Sequence, residues 1–239
     1  CLVGSEMCIR DRDEIGVLGS GSDTDLEFAA GSSVNVSTTG TGAIDLDGLG
    51  ALTLSDVDTV NGAITVTSAG ALTVTDVASG TNGNISLTTT SGDITGLATV
   101  NAGSGNVTLN SAGAIADDGS TGTVVTGGVL TADAAGAITI DSTVASADIS
   151  TSAAGAVDLD ETNAITLTDL DTTDGTITVD AGGALTVTDV ATGNNNAIAL
   201  TTSSGDITGL ATVNAGSGNV TLNSAGAIAD DASAATVVT

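Results

Sequence analysis

The chain has 239 residues, with 29 acidic side chains against 2 basic ones and no histidine, a formal charge of −27. Both arginines, both cysteines and the one methionine fall in the opening "CLVGSEMCIRDR", where Glu6 and Asp11 offset Arg10 and Arg12, so the negative charge belongs to the remainder. A segment without a cation cannot neutralise phosphates, which excludes nucleic acid as a partner; an anionic membrane surface repels it, and no apolar run approaches the roughly 20 residues that span a bilayer.

The leader comes first in chain order. Met7-Cys8-Ile9-Arg10-Asp11-Arg12 resembles the translation of ATG TGT ATA AGA GAC AGR, the end of a transposase-type sequencing adapter, and Cys1 to Glu6 continues that match upstream. Residues 1–12 are therefore set aside as adapter-derived and not native. With them goes the disulfide that Cys1 and Cys8 would suggest, and they are expected to pack against nothing. Residues 13–41 read as an irregular segment or partial coil. Within it "GSGSDTDLE", Gly19 to Glu27, is similar to the calcium-binding nonapeptide of secreted repeat toxins. The match fails at Gly19-Ser20, at Leu26, which comes one place late, and in not repeating, so a Gly/Ser loop is the better reading.

From residue 42 repetition dominates. "SGDITGLATVNAGSGNVTLNSAGAIADD" at 91–118 recurs unchanged at 204–231, an offset of 204 − 91 = 113, and roughly three quarters of positions 42–126 are identical in 155–239. Residues 42–154 form one long repeat and 155–239 a second, truncated one. Thr239 corresponds to Thr126, so the sequence reads as a fragment of a longer array.

Inside the long repeat, pairs of Gly-Ala-aliphatic-Thr-aliphatic begin near Gly42, Gly62, Gly83, Gly105, Gly128, Gly155, Gly175, Asn196 and Gly218, at spacings of 20, 21, 22, 23, 27, 20, 21 and 22. Ile64/Val66, Leu72/Val74, Ile177/Val179 and Leu185/Val187 alternate with threonine, the period of a strand with one buried face. Clusters of Gly, Asn, Ser and Asp supply the turns. An antiparallel sandwich normally has an aromatic core, and Phe28 is the only aromatic residue. The expected fold is all-β, a parallel β-solenoid of about nine coils, one for each of these starts. One coil buries too few aliphatics to offset the entropy of ordering its backbone, so stability must accumulate over many stacked coils.

Little chemistry is open to such a chain. After Arg12 only carboxylates and hydroxyls remain as reactive side chains. Asp45/Asp47, Asp158/Asp160 and Asp117/Asp118 have the look of paired glycosidase carboxylates. They recur with the repeat, whereas a catalytic pair occurs once beside groups that grip a sugar; the expectation is no enzyme. An ice-contacting threonine face is also a poor fit, since its column reads Asp45/Asp47, Thr65/Thr67, Ser86/Thr88, Thr108/Asn110. Stacking in register places Asp56 beside Asp76 and Asp169 beside Asp189, pairs that calcium, with its taste for carboxylate and carbonyl oxygens, would bridge. These four residues are the candidate metal ligands.

The "GNVTLNSAGAI" and "GALTVTDV" grammar, poor in aromatics and rich in Gly, Ala, Thr and Asp, resembles large bacterial surface proteins of the filamentous-haemagglutinin and autotransporter-adhesin type. That resemblance implies a right-handed parallel β-solenoid, exported to the cell surface or outside the cell, serving as a stalk or adhesive fibre. Its implied partners are neighbouring coils of a longer parent chain and an extracellular ligand or surface. It transfers no site residue. The alternative is a calcium-stabilised or ice-contacting binding module.

Overall fold

The computed structural model describes residues 26–122, 124–233 and 238–239 in full and the backbone of 2–3 and 6–10. Gly19-Ser20 and the rest of the nonapeptide-like motif up to residue 25 lie outside the described residues. The fold is an all-β parallel solenoid of about ten turns, and among the described residues its one helical turn is Gly193–Asn195. Alternation in the sequence is the direct cause. Ile64, Val66, Leu72 and Val74 are fully buried, while Thr65 and Thr73 between them face solvent.

Two columns of apolar side chains line two sides of one core. On the first side each residue is the register partner of the one before it: Leu46, Val66, Leu87, Leu109, Ala132, Ile149, Leu170, Val190, Val213. On the second side the run is Leu52, Leu72, Ile94, Ile115, Ile138, Val157, Ile177, Ile198, Val220. In the first repeat the second side is bent: Leu54 and Val57 both point inward, and Ser55 and Asp56 lie between them on the outside. Parallel strands of this kind lie about 4.8 Å apart, so the backbone hydrogen bonds of each coil are completed by its neighbours rather than within itself.

Corners are closed by inward hydroxyls and by glycine. Thr59 donates its Oγ1 proton to the Gly62 carbonyl at 2.8 Å and accepts from the Gly62 N–H at 2.9 Å; Ser68 reaches the Gly50 carbonyl at 2.7 Å. In the second repeat the Thr172 hydroxyl donates likewise to the Gly175 carbonyl at 2.6 Å. Glycine at 62 is a matter of space, because a Cβ there would run into the carbonyl of Gly42 one coil below, and one at 175 would run into the carbonyl of Gly155. The corner at Gly83 is rebuilt in the second repeat, where Asn196 follows Asn194 and Asn195 in the left-handed region, at φ 51° and 61°.

The interval from Gly128 to Gly155, expected as one coil and the longest of the series, is more than one coil. Leu130 stacks on Val107, and Ala147 already stacks on Leu130, well before the next predicted start at Gly155. Earlier in the chain the corner from the second side back to the first is a loop, as between Val57 and Ile64 or between Val77 and Ile85. Here it is passed twice without one: between Gly127 and Leu130 inside the strand Val125–Ala134, and between Val144 and Ala147 inside the strand Ile138–Ala154. The first side is thus filled once more before the second repeat begins. Val157, the counterpart of Ile44, lands on Ile138 on the second side, and Ile165–Asp174 runs over 146–154 on the first. The two sides have exchanged roles.

Glu161 sits at this seam, where the first repeat has Gly48. It is 3 % exposed. Its Oε2 accepts from the Ser142 hydroxyl at 2.6 Å and the Val144 N–H at 3.1 Å, and its Oε1 accepts from the Asn163 N–H at 3.1 Å. A buried carboxylate is tolerable when donors surround it, and here two of the three come from the strand that changes side.

The leader does not stand apart as the sequence reading has it. Glu6–Arg10 runs parallel to Ser32–Ser37, with Met7 opposite Val34 and Ile9 opposite Val36, and Leu2–Val3 folds back on it antiparallel. An open end of a parallel stack presents a row of unpaired backbone groups that any extended segment satisfies. Such pairing requires no particular side chains.

Candidate functional site

The bend after Leu54 turns Asp56 outward, and the pairing of Val57 with Val77 sets Asp76 one rung above it. Asn35, one rung below, donates from Nδ2 to Asp56 Oδ2 at 3.1 Å. The first predicted pair is therefore brought together, and Asp58 joins it. Burial, a hydrogen bond with the Asp56 side chain and the charges of Asp56 and Asp76 push the Asp58 carboxyl from 3.8 up to about 6. Its Oδ1 is buried without a hydrogen-bond partner. Asp76 is also raised, by burial and then by Asp56.

The second predicted pair forms in the same way on the other side of the seam. Asp169 lies over Asp148 and below Asp189, with Asp171 over Ser150. Burial raises Asp169, and the Asp189 charge adds to it; Asp148 and Asp171 are raised by burial and then by the carboxylates around them. Asp133 holds the neighbouring Ser150 hydroxyl at 2.5 Å.

A third acidic column escaped the sequence reading. Asp141, Asp160 and Asp180 are register partners on successive rungs, and with Asp117, Ser120 and Thr139 they line an open groove of about 400 Å³. Asp141, Asp158 and Asp160 are all raised, burial first and neighbouring carboxylates second. Their spacings, 160 − 141 = 19 and 180 − 160 = 20, match a coil, but Asp141 belongs to the seam and has no counterpart in the repeat grammar.

Among the described residues no group of three or more His, Cys, Asp or Glu side chains is arranged to hold a metal ion. The threonine columns are broken as expected: Asp45, Thr65, Ser86, Thr108, Thr131 and Asp148 succeed one another on the first side. No protein-family model, no curated protein and no solved structure matches this chain. What the carboxylate columns can do follows from their own geometry: like charges stacked rung on rung repel one another and attract cations, and Asp58, Asp76, Asp141, Asp148, Asp158, Asp160, Asp169 and Asp171 hold protons more tightly than usual.

That geometry fixes a pH dependence. A carboxyl with a higher pKa in the fold than in the unfolded chain takes up protons on folding between the two values, so stability falls as pH rises through that window. For Asp58 the window runs from 3.8 to about 6. The unfolding midpoint is expected to be higher near pH 4.5 than at pH 7.5, with Asp58 contributing about 1 kcal/mol after solvent screening and hence ~2–4 °C. Asp58→Asn should flatten the profile; a midpoint that climbs from pH 4.5 to 7.5 contradicts this account.

Proposed function

We propose that this chain is a non-enzymatic stalk segment, structural and adhesive in role, of a large exported bacterial surface protein. The supporting observation is the unbroken core. Leu46, Leu87, Leu109, Leu170 and Val190 on one side and Leu72, Ile94, Ile138, Ile177 and Ile198 on the other are all at most 1 % exposed. Each coil is covered by the next and covers the one before, which suits a load-bearing rod. Outside the seam the exposed polar groups recur with the repeat, as a fibre surface would and a catalytic centre would not. Its partners on this reading are adjoining coils of a parent chain and an extracellular ligand or surface. Antibodies raised against the chain are expected to label intact, unpermeabilised cells of the source bacterium; labelling that needs permeabilisation would overturn the surface assignment.

A second reading, a calcium-stabilised module, draws support from the unpartnered Asp58 Oδ1 beside Asp56 and Asp76. Against it, stacked carboxylates at a surface are relieved by ordinary salt. Thermal melts with chelator, with millimolar calcium and with sodium at matched ionic strength separate the two. Equal rises with calcium and sodium are the expected result, the mark of screening. A rise with calcium alone, lost on Asp56→Asn with Asp169→Asn, would establish the metal sites. The ice-contacting variant of this reading has the broken threonine columns against it.

A further inference from the structure

The seam changes what the long repeat is. Counting passages across the core from Ile44 to the start of the second repeat, the chain crosses the first side at Ile44–Gly48, Ile64–Ser68, Ile85–Thr89, Val107–Ser111, 130–134 and 147–151. It crosses the second side five times between them, at Leu52–Asp58, 72–78, 94–101, 115–117 with 125–127, and 138–144. Six and five make eleven, an odd number. Val157 consequently opens the second repeat on the side opposite to its counterpart Ile44. Sequence identity and spatial position have come apart.

We infer that the long repeat acts as a half-turn screw, so that successive copies present the same exposed columns to opposite sides of the stack and every second copy restores the starting phase. Two features build it. The short passage from Val144 to Ala147 turns the corner with no glycine, and Glu161, in place of Gly48, ties that passage to the first strand of the second repeat through Ser142 and Val144. The acidic group Asp56, Asp58 and Asp76 lies on the second side; its counterpart Asp169, Asp171 and Asp189 lies on the first. Whatever one copy of the repeat contacts, the next copy contacts from the other flank of the fibre. The screw goes beyond the stalk reading and stands or falls independently of it.

Thr73 and Thr186 occupy the same place in "GALTVTDV", one long-repeat offset apart, 186 − 73 = 113. If the repeat were a whole number of turns they would share a side, in one column of rungs. In the observed register the residue five rungs from Thr73 on its own side is Thr178, by way of Thr95, Ala116, Thr139 and Asp158. Spin labels are placed on the full chain carrying Cys1→Ser and Cys8→Ser, at Thr73→Cys with Thr178→Cys and at Thr73→Cys with Thr186→Cys. The 73/178 backbone separation should be ~24 Å, and the 73/186 distance should be longer because it crosses the stack. Equal or reversed distances overturn the inference. Should a labelled variant fail to melt cooperatively, cross-linking decides: Thr139→Cys with Asp158→Cys should close a disulfide, since these are register partners and such neighbours lie within disulfide range. A bridge from Thr131→Cys to Asp158→Cys instead would mean whole-turn stacking and would refute the screw.

Discussion

Gly62→Ala is expected to lower the unfolding midpoint by roughly 6–12 °C, the equivalent of about 3 kcal/mol in a chain of this size. The added Cβ would point at the carbonyl of Gly42 and the amide nitrogen of Ala43 in the coil below. Neither atom belongs to a flexible side chain, so relief requires the two coils to part, and with them the interstrand hydrogen bond from the Ile44 N–H to the Ala63 carbonyl at 2.9 Å. The Thr59 hydroxyl, bonded to both the N–H and the carbonyl of Gly62, would be displaced as well. Gly175→Ala should behave alike, because its Cβ would meet Gly155 and Ala156 in the same geometry. Gly122→Ala is the control: nothing lies within 4 Å of its Cβ position, and its midpoint should match the parent within a degree or two, roughly 0.5 kcal/mol. A Gly62→Ala chain that melts with the parent would show that the corner has slack and that the close approach is not limiting.

Glu161→Ala is the second substitution with a large expected effect, about 2–4 kcal/mol. Removing the carboxylate strands three donors at once, the Ser142 hydroxyl and the N–H groups of Val144 and Asn163. Ser142 is fully buried and Val144 nearly so, so water cannot easily replace what is lost. Glu161→Gln keeps one acceptor oxygen and should cost less than half as much. Hydrogen exchange gives the decisive reading: the Val144 amide should lose protection in Glu161→Ala while amides in coils far from the seam, such as Leu87, keep theirs. Uniform loss along the chain would mean that Glu161 supports the stack generally and has no special hold on the seam.

Much of the fold was legible in the residues because two-residue alternation and corner glycines are local signals. Ile64, Val66, Leu72 and Val74 announce inward positions, and Gly42, Gly62, Gly83 and Gly105 announce coil starts; register pairing places them so. The interval after Gly128 was not legible. Sequence spacing counts residues, whereas the number of sides crossed depends on whether a corner forms, and 138–154 passes from one side to the next as a single strand without a glycine. The candidate site divides along the same line. Asp56 with Asp76 and Asp169 with Asp189 follow from the repeat alone, but Asp58 is raised first by its burial and then by Asp56, which a bend turns outward beside it. The column Asp141, Asp160, Asp180 exists only because the seam lies under the second repeat. Glu161 gave a faint signal, as the charged residue replacing a glycine between near-identical copies.

The exchange of sides also bears on the straightness of a longer array. The two walls of a coil are unequal: in the first repeat Ile64, Val66 and Ser68 point inward on one, and Leu72, Val74, Val77 and Ser79 on the other, beside a bend. Were the two walls to stack at slightly unequal spacings, a run of identical coils would arc. When each copy turns its bent wall to the flank opposite that of its predecessor, any curvature that one copy imposes on the stack is opposed by the next.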